Sequence, residues 1–422
     1  MTPASGPVTL QAIQAARAAI APLVRRTPTW ESLTLADYAG HPVLLKCEHM
    51  QRTGSFKVRG AANFVAHLPA GDRARGLVTA SAGNHAQGIA LAGSSAGLDV
   101  KVVMPSTAPL AKANAARGYG ARVVLTGATL EDARAEAMAT AQREGRIYVP
   151  PFDDDHVIAG QGTLALEILE DVPGVAEVLV PAGGGGLLAG VATAIKETRP
   201  DIRVIGVQAA AMDGICRSFS AGAPLTTPSG RTIADGVAVA GPSARTFALI
   251  ERNVDEMVSC TEDAIARAIV LLIERSKMVV EGAGALGAAA IQSGVYRPRG
   301  PACVVLSGGN IDINLLGSIV RRGLVDAHRY QHITIEVSDT PGELALVTSV
   351  IAAAGGNIIE VDHNREAPGM PVGAALLDLL LEVHGQQHFE EVILALREAG
   401  LRGVPGTSAR LVTEGARRFQ AR

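Results

Sequence analysis

The chain has 422 residues, of which 48% are hydrophobic, and its formal net charge at pH 7 is −3. This length predicts two or three domains, and the hydrophobic content is ample for a buried core. The charge predicts no nucleic-acid partner, and no apolar run reaches the ~18 residues that a membrane span requires.

The cysteines and the N-terminal segment bear on the compartment. The four cysteines lie far apart without CxxC spacing, which predicts neither disulfide bonds nor a thiolate metal site. The first twenty residues lack the apolar core of a signal peptide. We therefore expect a cytoplasmic protein with reduced thiols and a small-molecule partner.

Apolar runs of strand length alternate with helix-length segments through the first three quarters of the chain. Runs that are apolar throughout are typical of parallel strands buried on both faces, and such sheets bind ligands beyond the carboxyl ends of their strands. The sequence therefore predicts a doubly wound α/β region. Its strands are expected within residues 43–48, 76–81, 100–105, 121–127, 177–186, 203–208 and 302–310.

The segment TGSFKVRGA, residues 53–61, contains one of only six lysines. Small residues precede Lys57 and an apolar pattern of helical period follows it. This predicts a lysine in the first turn of a helix with Ser55 as the N-cap. The positive end of the helix dipole would lower the pKa of that amine, and a neutral lysine is a nucleophile. A solvated lysine on an ordinary helix is the alternative for this segment alone.

Two polar segments follow predicted strands. In SAGNHAQG, Asn84 either caps a helix or donates to a ligand, and His85 is either structural or catalytic. In PAGGGGLLAG, the run Gly183–Gly186 precedes a helix, so successive backbone amides are exposed as a socket for phosphate. A merely tight turn is the alternative reading of this run.

The segment VVEGAGALG, residues 279–287, matches the dinucleotide pattern G-x-G-x-x-G after a predicted strand. That fingerprint also requires an acidic residue at the end of the next strand, and here the strand ends in Ser307. The sequence therefore disfavours a nicotinamide cofactor. A nucleophilic lysine, an amide socket, an asparagine donor and a serine hydroxyl are together what pyridoxal 5′-phosphate requires.

The pattern changes from about residue 330. Strand, helix, two strands, helix and a short final strand predict a separate ferredoxin-like module over residues 330–406. Residues 1–325 would form the preceding region, with a small subdomain at about 45–150 inserted in a larger one. We expect residues 407–422 to be a poorly ordered polar tail.

Six motifs, in this order and at these spacings, resemble the threonine dehydratase (threonine ammonia-lyase) and serine dehydratase family: TGSFKVRGA, SAGNHAQG, PAGGGGLLAG, TIADGVAV, VVEGAGA and LSGGN. The resemblance covers roughly residues 10–325 and implies the two-domain pyridoxal-phosphate fold, tryptophan synthase β-like and of fold type II. It implies deamination of L-threonine, and of L-serine, to 2-oxobutanoate or pyruvate and ammonia. The segment DTPGELALV resembles an ACT domain, a module that senses amino acids.

The same resemblance implies roles for individual residues. Lys57 would bind the cofactor covalently and act as general base, with Phe56 against the ring. Asn84 would contact the phenolate oxygen, and Ser307 the ring nitrogen, which suits elimination because a hydroxyl partner leaves that nitrogen largely unprotonated. The phosphate would be held by the backbone amides of Gly183, Gly184, Gly185, Gly186 and Leu187. The substrate carboxylate would be held by Ser81, Gly83 and His85, and Ser81 would also be a catalytic residue. Glu281 would lie near the substrate amine or leaving group.

Two positions depart from the family pattern. Ala82 stands where racemising members carry a serine hydroxyl, which favours a dehydratase over a racemase. Gln208 is neutral where many members bind a divalent cation through a carboxylate, so no metal is predicted. The alternatives are a 3-hydroxyaspartate dehydratase, with an arginine such as Arg52 for the second carboxylate, a serine racemase, and a catalytically inactive amino-acid sensor.

The ACT resemblance also implies an effector site and an oligomer. Such modules bind amino acids where two copies meet, which implies a homodimer or homotetramer. A branched-chain amino acid is the implied effector, because the pathway from threonine leads to isoleucine. A module that only holds the oligomer together is the alternative. The implied effector residues are Asp339, Thr340, Pro341, Gly342 and Glu343, with Gly356 and Asn357 opposite them.

Overall fold

The computed structural model describes residues 8–227, 230–366 and 371–406, so the predicted tail at 407–422 lies outside the described residues. The chain divides after Asp312 into two compact units. This division lies before the boundary near residue 325 that the sequence predicts, because the helix Ile313–Asp326 groups with the second unit. Within the described residues, no helix combines the length and the apolar character that crossing a membrane requires.

The first unit contains two β-sheets. The larger sheet has the order β1-β2-β10-β7-β8-β9, with β1 antiparallel at one edge and the other strands parallel. The smaller sheet has the order β5-β4-β3-β6 and is entirely parallel. The ten strands are β1 (Thr29–Glu31), β2 (Val43–Lys46), β3 (Leu77–Ala80), β4 (Val100–Met104), β5 (Arg122–Leu125), β6 (Ile147–Tyr148), β7 (Glu177–Pro181), β8 (Arg203–Ala209), β9 (Glu256–Cys260) and β10 (Ala302–Val305).

Each of the seven strand segments predicted from the sequence contains a strand. Three strands were not predicted: β1 and β6 have only three and two residues, and β9 is mostly half-buried, so its sequence EMVSC is no continuous apolar run. The prediction of a strand before Glu281 is wrong, because residues 277–281 belong to no helix or strand. A lysine with left-handed backbone, Lys277 at φ 59°, ends a π-helical turn there.

Helices cover both sheets of the first unit. Helix α8 is buried from Gly186 to Ile195, which accounts for its uniformly small and apolar sequence. Among the described residues, the α-helices of this unit are α1 (Leu10–Ile20), α2 (Leu33–Ala39), α3 (Lys57–Ala66), α4 (Asn84–Ser95), α5 (Leu110–Gly118), α6 (Leu130–Glu144), α7 (Asp155–Asp171), α8 (Gly186–Thr198), α9 (Gly214–Ala221), α10 (Ala244–Asn253), α11 (Glu262–Leu271) and α12 (Gly282–Gln292). In chain order, the strands of the small sheet, from Leu77 to Tyr148, come between β2 and β7 of the larger sheet.

The second unit begins with α13 (Ile313–Asp326) and continues as an alternation of strands and helices. Its antiparallel sheet has the order β12-β13-β11-β14. Apolar residues of both of its later helices pack against the sheet in one core. This is the βαββαβ arrangement of a ferredoxin-like module. Its elements are β11 (Tyr330–Ser338), α14 (Glu343–Ala353), β12 (Asn357–Asn364), β13 (Ala374–Glu382), α15 (Gln386–Glu398) and β14 (Arg402–Pro405).

Candidate active site

Lys57 is the first residue of α3, as the sequence predicts. Its Nζ donates a hydrogen bond to the carbonyl oxygen of Pro151, 2.8 Å away, and lies 5.2 Å from the centroid of the Phe56 ring. Burial lowers the pKa of Lys57 to about 8, against the opposing charge of Glu281. The sequence predicts the direction of this shift, but its main cause is burial rather than the helix dipole.

The predicted N-cap of α3 is wrong. Phe56 occupies the N-cap position, and no side chain caps the helix. Ser55 lies one residue before the cap, and its backbone forms a β-bridge with Gly308. Its hydroxyl is buried without a hydrogen-bond partner among the residues that the structure describes.

Asn84 and Glu281 are hydrogen-bonded to each other. Asn84 is the first residue of α4, and its Nδ2 donates to Oε1 of Glu281 over 2.7 Å. Asn310 donates from its Nδ2 to the Oδ1 of Asn84 over 2.6 Å. Burial, followed by the charge of Asp235, raises the pKa of Glu281 to about 7, and the hydrogen bond from Asn84 opposes the shift. Glu281 therefore exchanges a proton close to neutral pH.

The sequence did not predict two of the residues around this carboxyl group. Asn310 lies in the LSGGN motif, but nothing in the sequence distinguishes it from a loop asparagine. Lys112 of α5 donates to Oδ2 of Asp235 over 2.5 Å. This ion pair joins the helical layer of the small sheet to the TIADGVAV segment, and only the fold brings the two charges together.

The glycine run connects β7 to α8, as predicted. Gly185 is the N-cap of α8 and has a left-handed backbone at φ 90°. A Cβ atom on Gly184 would lie 2.4 to 2.5 Å from ring atoms of Phe152, and one on Gly183 would lie 2.8 Å from the Cα of Val237. Side chains are thus excluded on steric grounds. The first amides of α8, including that of Leu187, have no intrahelical acceptor and are available to an anion.

The remaining predicted residues lie in the turn before α4, at the start of α4 itself and in the segment that follows β10. Ser307 is 2% exposed and its carbonyl oxygen accepts from the backbone amide of Phe56 over 3.0 Å. Ser81 Oγ accepts from the amide of Gly83 over 3.2 Å, in the turn that precedes α4. His85 is buried, with Nε2 3.2 Å from the carbonyl oxygen of Val149. Burial, followed by the charge of Lys57, lowers the pKa of His85 to about 3, so the imidazole is neutral.

Gln208 cross-links the base of the glycine run. Its Oε1 accepts from the backbone amide of Cys216 over 2.8 Å, and its Nε2 donates to the carbonyl oxygen of Ala182 over 3.2 Å. Both ends of this fully buried amide are therefore satisfied by protein groups. In the described ranges, no three His, Cys, Asp or Glu side chains gather in a way that could hold a metal ion.

A family comparison accounts for this set of groups. The family described as "Pyridoxal-phosphate dependent enzyme" matches residues 20–308. The chain belongs to this family. Its members share the two-domain fold type II architecture that the sequence resemblance implies, and its cofactor is pyridoxal 5′-phosphate.

Individual relatives narrow the class of enzyme. The L-threonine ammonia-lyase of Thermotoga maritima is 44% identical over 385 residues, which cover 91% of this chain and 96% of that protein. The solved T.th. threonine deaminase has 43% identity and a TM-score of 0.69 over 72% of this chain and 99% of its own. Maize serine racemase has 33% identity and a TM-score of 0.71 over 76% of this chain and 100% of its own. The chain is therefore a lyase of the pyridoxal-phosphate family.

The residues present fit this cofactor. The amine of Lys57 and the glycine run are adjacent, because Pro151 contacts the lysine while Phe152 packs on Gly184. Gln161 of α7 is 1% exposed, and neither atom of its amide has a partner within the described part of the chain. This amide faces Gly186 at the start of α8, where a Cβ atom would lie 2.9 Å from its Oε1. The backbone amides at this helix N-terminus have no intrahelical acceptor, and they suit a phosphate group.

Proposed function

We propose that this chain is a threonine ammonia-lyase that converts L-threonine, and L-serine, to 2-oxobutanoate or pyruvate and ammonia. The observation that carries the proposal is the half-buried Lys57, whose pKa is lowered to about 8, beside the glycine run. The 44% identity to the Thermotoga maritima enzyme over 91% of the chain supports the same reaction.

The cofactor, when bound, withdraws electrons and thereby acidifies the Cα–H bond of the amino acid. Lys57 accepts that proton, because a pKa lowered to about 8 leaves part of its amine neutral near neutral pH. The start of α4, with Ser81, Gly83 and His85, receives the substrate carboxylate, which a helix N-terminus favours. Asn84 and Ser307 would hold the polar edges of the ring, and Phe56 would lie against its face.

Glu281 exchanges the second proton of the reaction, the one at the substrate amine or at the departing hydroxide. Its pKa near 7 allows it both to give and to take a proton at the substrate amine or at the departing hydroxide. The Cα proton and the Cβ hydroxyl leave together as water, and the released enamine takes up water to give the 2-oxo acid and ammonia. Elimination therefore balances without any further reactant.

A substrate panel tests the proposed function. Release of 2-oxo acid is measured with L-threonine, L-serine and both diastereomers of 3-hydroxyaspartate. We expect turnover of L-threonine and L-serine. Turnover confined to 3-hydroxyaspartate would favour that dehydratase instead. Absence of turnover from all four, in protein that binds the cofactor, would leave the amino-acid sensor as the function.

Racemisation is the second candidate, because maize serine racemase shares the fold at 33% identity. Ala82, between Ser81 and Gly83, has no hydroxyl with which to protonate the second face of the substrate. We expect Ala82→Ser to raise the ratio of D-serine to pyruvate at least about tenfold, since a positioned acid typically contributes about 10²–10⁴-fold. Chiral chromatography of the products measures this ratio. Ala82→Gly is the matched control, and abundant D-serine from the unaltered enzyme would contradict the dehydratase assignment.

We further propose that the second unit is an ACT module that binds a branched-chain amino acid at the start of α14 and pairs with a second copy. Gly342 is the N-cap of α14 with φ 108°, and the space beside it is open. A ligand carboxylate can therefore approach the first helical amides. Asp339, whose Oδ1 accepts from Nε of Arg365 over 2.8 Å, would hold the ligand amine. Asn357 donates to Glu382 over 3.2 Å.

Replacing Asp339 tests this regulatory proposal. We expect isoleucine or valine to shift the threonine saturation curve of the unaltered enzyme, with an affinity change of about 5- to 150-fold. Asp339→Ala should abolish that shift and leave turnover without effector unchanged. The control is Asp362→Ala, which removes an exposed carboxylate from β12. If no branched-chain amino acid changes the curve and calorimetry detects no binding, the module is structural.

A further inference from the structure

The loop at residues 307–310 is joined to two other segments of the active site. The amide of Phe56 donates to the carbonyl oxygen of Ser307 over 3.0 Å, and the amide of Gly309 donates to the carbonyl oxygen of Gly54 over 2.9 Å. The amide of Glu281 donates to the carbonyl oxygen of Gly308 over 3.0 Å. This loop therefore holds both the approach to Lys57 and the start of α12.

Asn310 ends this loop and makes two hydrogen bonds through one nitrogen atom. Its Nδ2 donates to the carbonyl oxygen of Thr53 over 2.8 Å and to the Oδ1 of Asn84 over 2.6 Å. A primary amide has two N–H hydrogens, and both are used here. Neither a carboxylate nor an aliphatic side chain at this position could make these two bonds.

The bond from Asn310 determines which way the Asn84 amide faces. Because the Oδ1 of Asn84 accepts from Asn310, its Nδ2 points toward Oε1 of Glu281, 2.7 Å away. The flipped amide would place two NH₂ groups against each other and an oxygen against the carboxyl group. Asn310 thus makes Asn84 a donor on the side of the site.

The position of Asn310 is itself closely constrained. Gly54 has a left-handed backbone at φ 69°, and a Cβ atom there would lie 2.6 Å from the Oδ1 of Asn310. Gly308 leaves room for the Glu281 carboxyl group, since a Cβ atom there would lie 2.4 Å from its Oε1. Two glycines therefore make space for the two side chains that contact Asn84.

We propose that Asn310 is a positioning residue that acts through Asn84, fixing its amide as a donor toward the reacting groups. This inference rests on the proposed function only where kcat/KM for L-threonine is the quantity measured. The amide of Asn84 is available to any bound pyridoxal phosphate, whatever the amino acid that is turned over.

A double-mutant cycle in the full-length holoenzyme tests the inference. We expect Asn310→Ala to lower kcat/KM for L-threonine about 3- to 10-fold, since a hydrogen bond between neutral groups contributes about that factor. It should also shift the pH dependence of the visible absorbance of the bound cofactor. In an Asn84→Ala background the same change should alter kcat/KM less than about twofold, because the residue through which Asn310 acts is absent.

Controls separate positioning from folding. Asn253→Ala removes another buried asparagine amide, whose Nδ2 donates to Oγ1 of Thr193 on α8 over 3.0 Å. This change should lower kcat/KM by the same factor in both backgrounds, or leave it unchanged in both. If Asn310→Ala lowers the melting temperature by more than a few degrees, Asn310→Asp, of the same shape but unable to donate, is measured by the same cycle. Equal losses in both backgrounds, or an unchanged absorbance titration, would overturn the inference. Failure of the proposed function is distinct, because the unaltered enzyme would then bind cofactor and show the titration without deaminating threonine.

Discussion

Replacing Lys57 with alanine is expected to lower threonine deamination at least about 10³-fold, because one residue supplies both the covalent attachment of the cofactor and the general base. The visible absorbance of covalently bound cofactor should disappear at the same time. Borohydride reduction of the unaltered enzyme, followed by peptide mapping, should place the label on the peptide that contains Lys57.

The other lysines provide the control for this experiment. Lys277 is exposed and its Nζ donates to the carbonyl oxygen of Glu274, so Lys277→Ala should retain both activity and label. Lys46 is fully buried in ion pairs with Glu167 and Asp171 and has no access to a ligand. A label on either residue would refute the assignment of Lys57.

Replacing Glu281 with glutamine is expected to have opposite effects on activity and stability. Deamination should fall about 100-fold or more, because a neutral amide cannot exchange a proton. The free energy of unfolding of the cofactor-free protein at pH 8 should rise by roughly 1–3 kcal/mol, because the variant no longer buries a carboxylate.

The pH dependence gives the sign of the stability effect. The pKa of Glu281 is about 7 in the folded protein, against an ordinary value of 4.5, so the folded state binds more protons than the unfolded state between these values. The contribution of this group to stability is therefore lost as pH rises from about 4.5 to about 7. Urea unfolding at pH 5 and pH 8 measures it, with Glu251→Gln, an exposed residue of α10, as the control. A variant no more stable than the unaltered protein at pH 8 would contradict the burial argument.

The larger sheet could be predicted because its central strands are buried on both faces. Continuous apolar sequences such as VLLK and ACVV have few alternatives in an α/β chain. Strands β1 and β9 were not predicted because they lie at the edges of the sheet, where half-exposed positions admit Trp30, Glu256 and Ser259. The antiparallel module was predicted from its strands and helices, since local periodicity suffices for elements of this length.

The site was predictable where one short segment carries the chemistry. Lys57 and the glycine run are recognisable from local composition, whereas Ser55 misled because its backbone is bridged to Gly308, over 250 positions away in the sequence. Contacts of that kind also explain why Asn310 and the Lys112–Asp235 pair were missed. The elevated pKa of Glu281 depends on burial, which no local pattern reveals.

The place of β10 in the larger sheet has a consequence for how the protein is made. This strand lies between β2 and β7, yet residues 302–305 are the last strand of the first unit to leave the ribosome. Until it arrives, the sheet has a gap at its centre, and both Ser307 and Asn310 are missing from the site. Nascent chains that lack β10 are therefore expected to leave the edges of β2 and β7 unpaired, and folds dominated by such non-local pairing are expected to fold slowly.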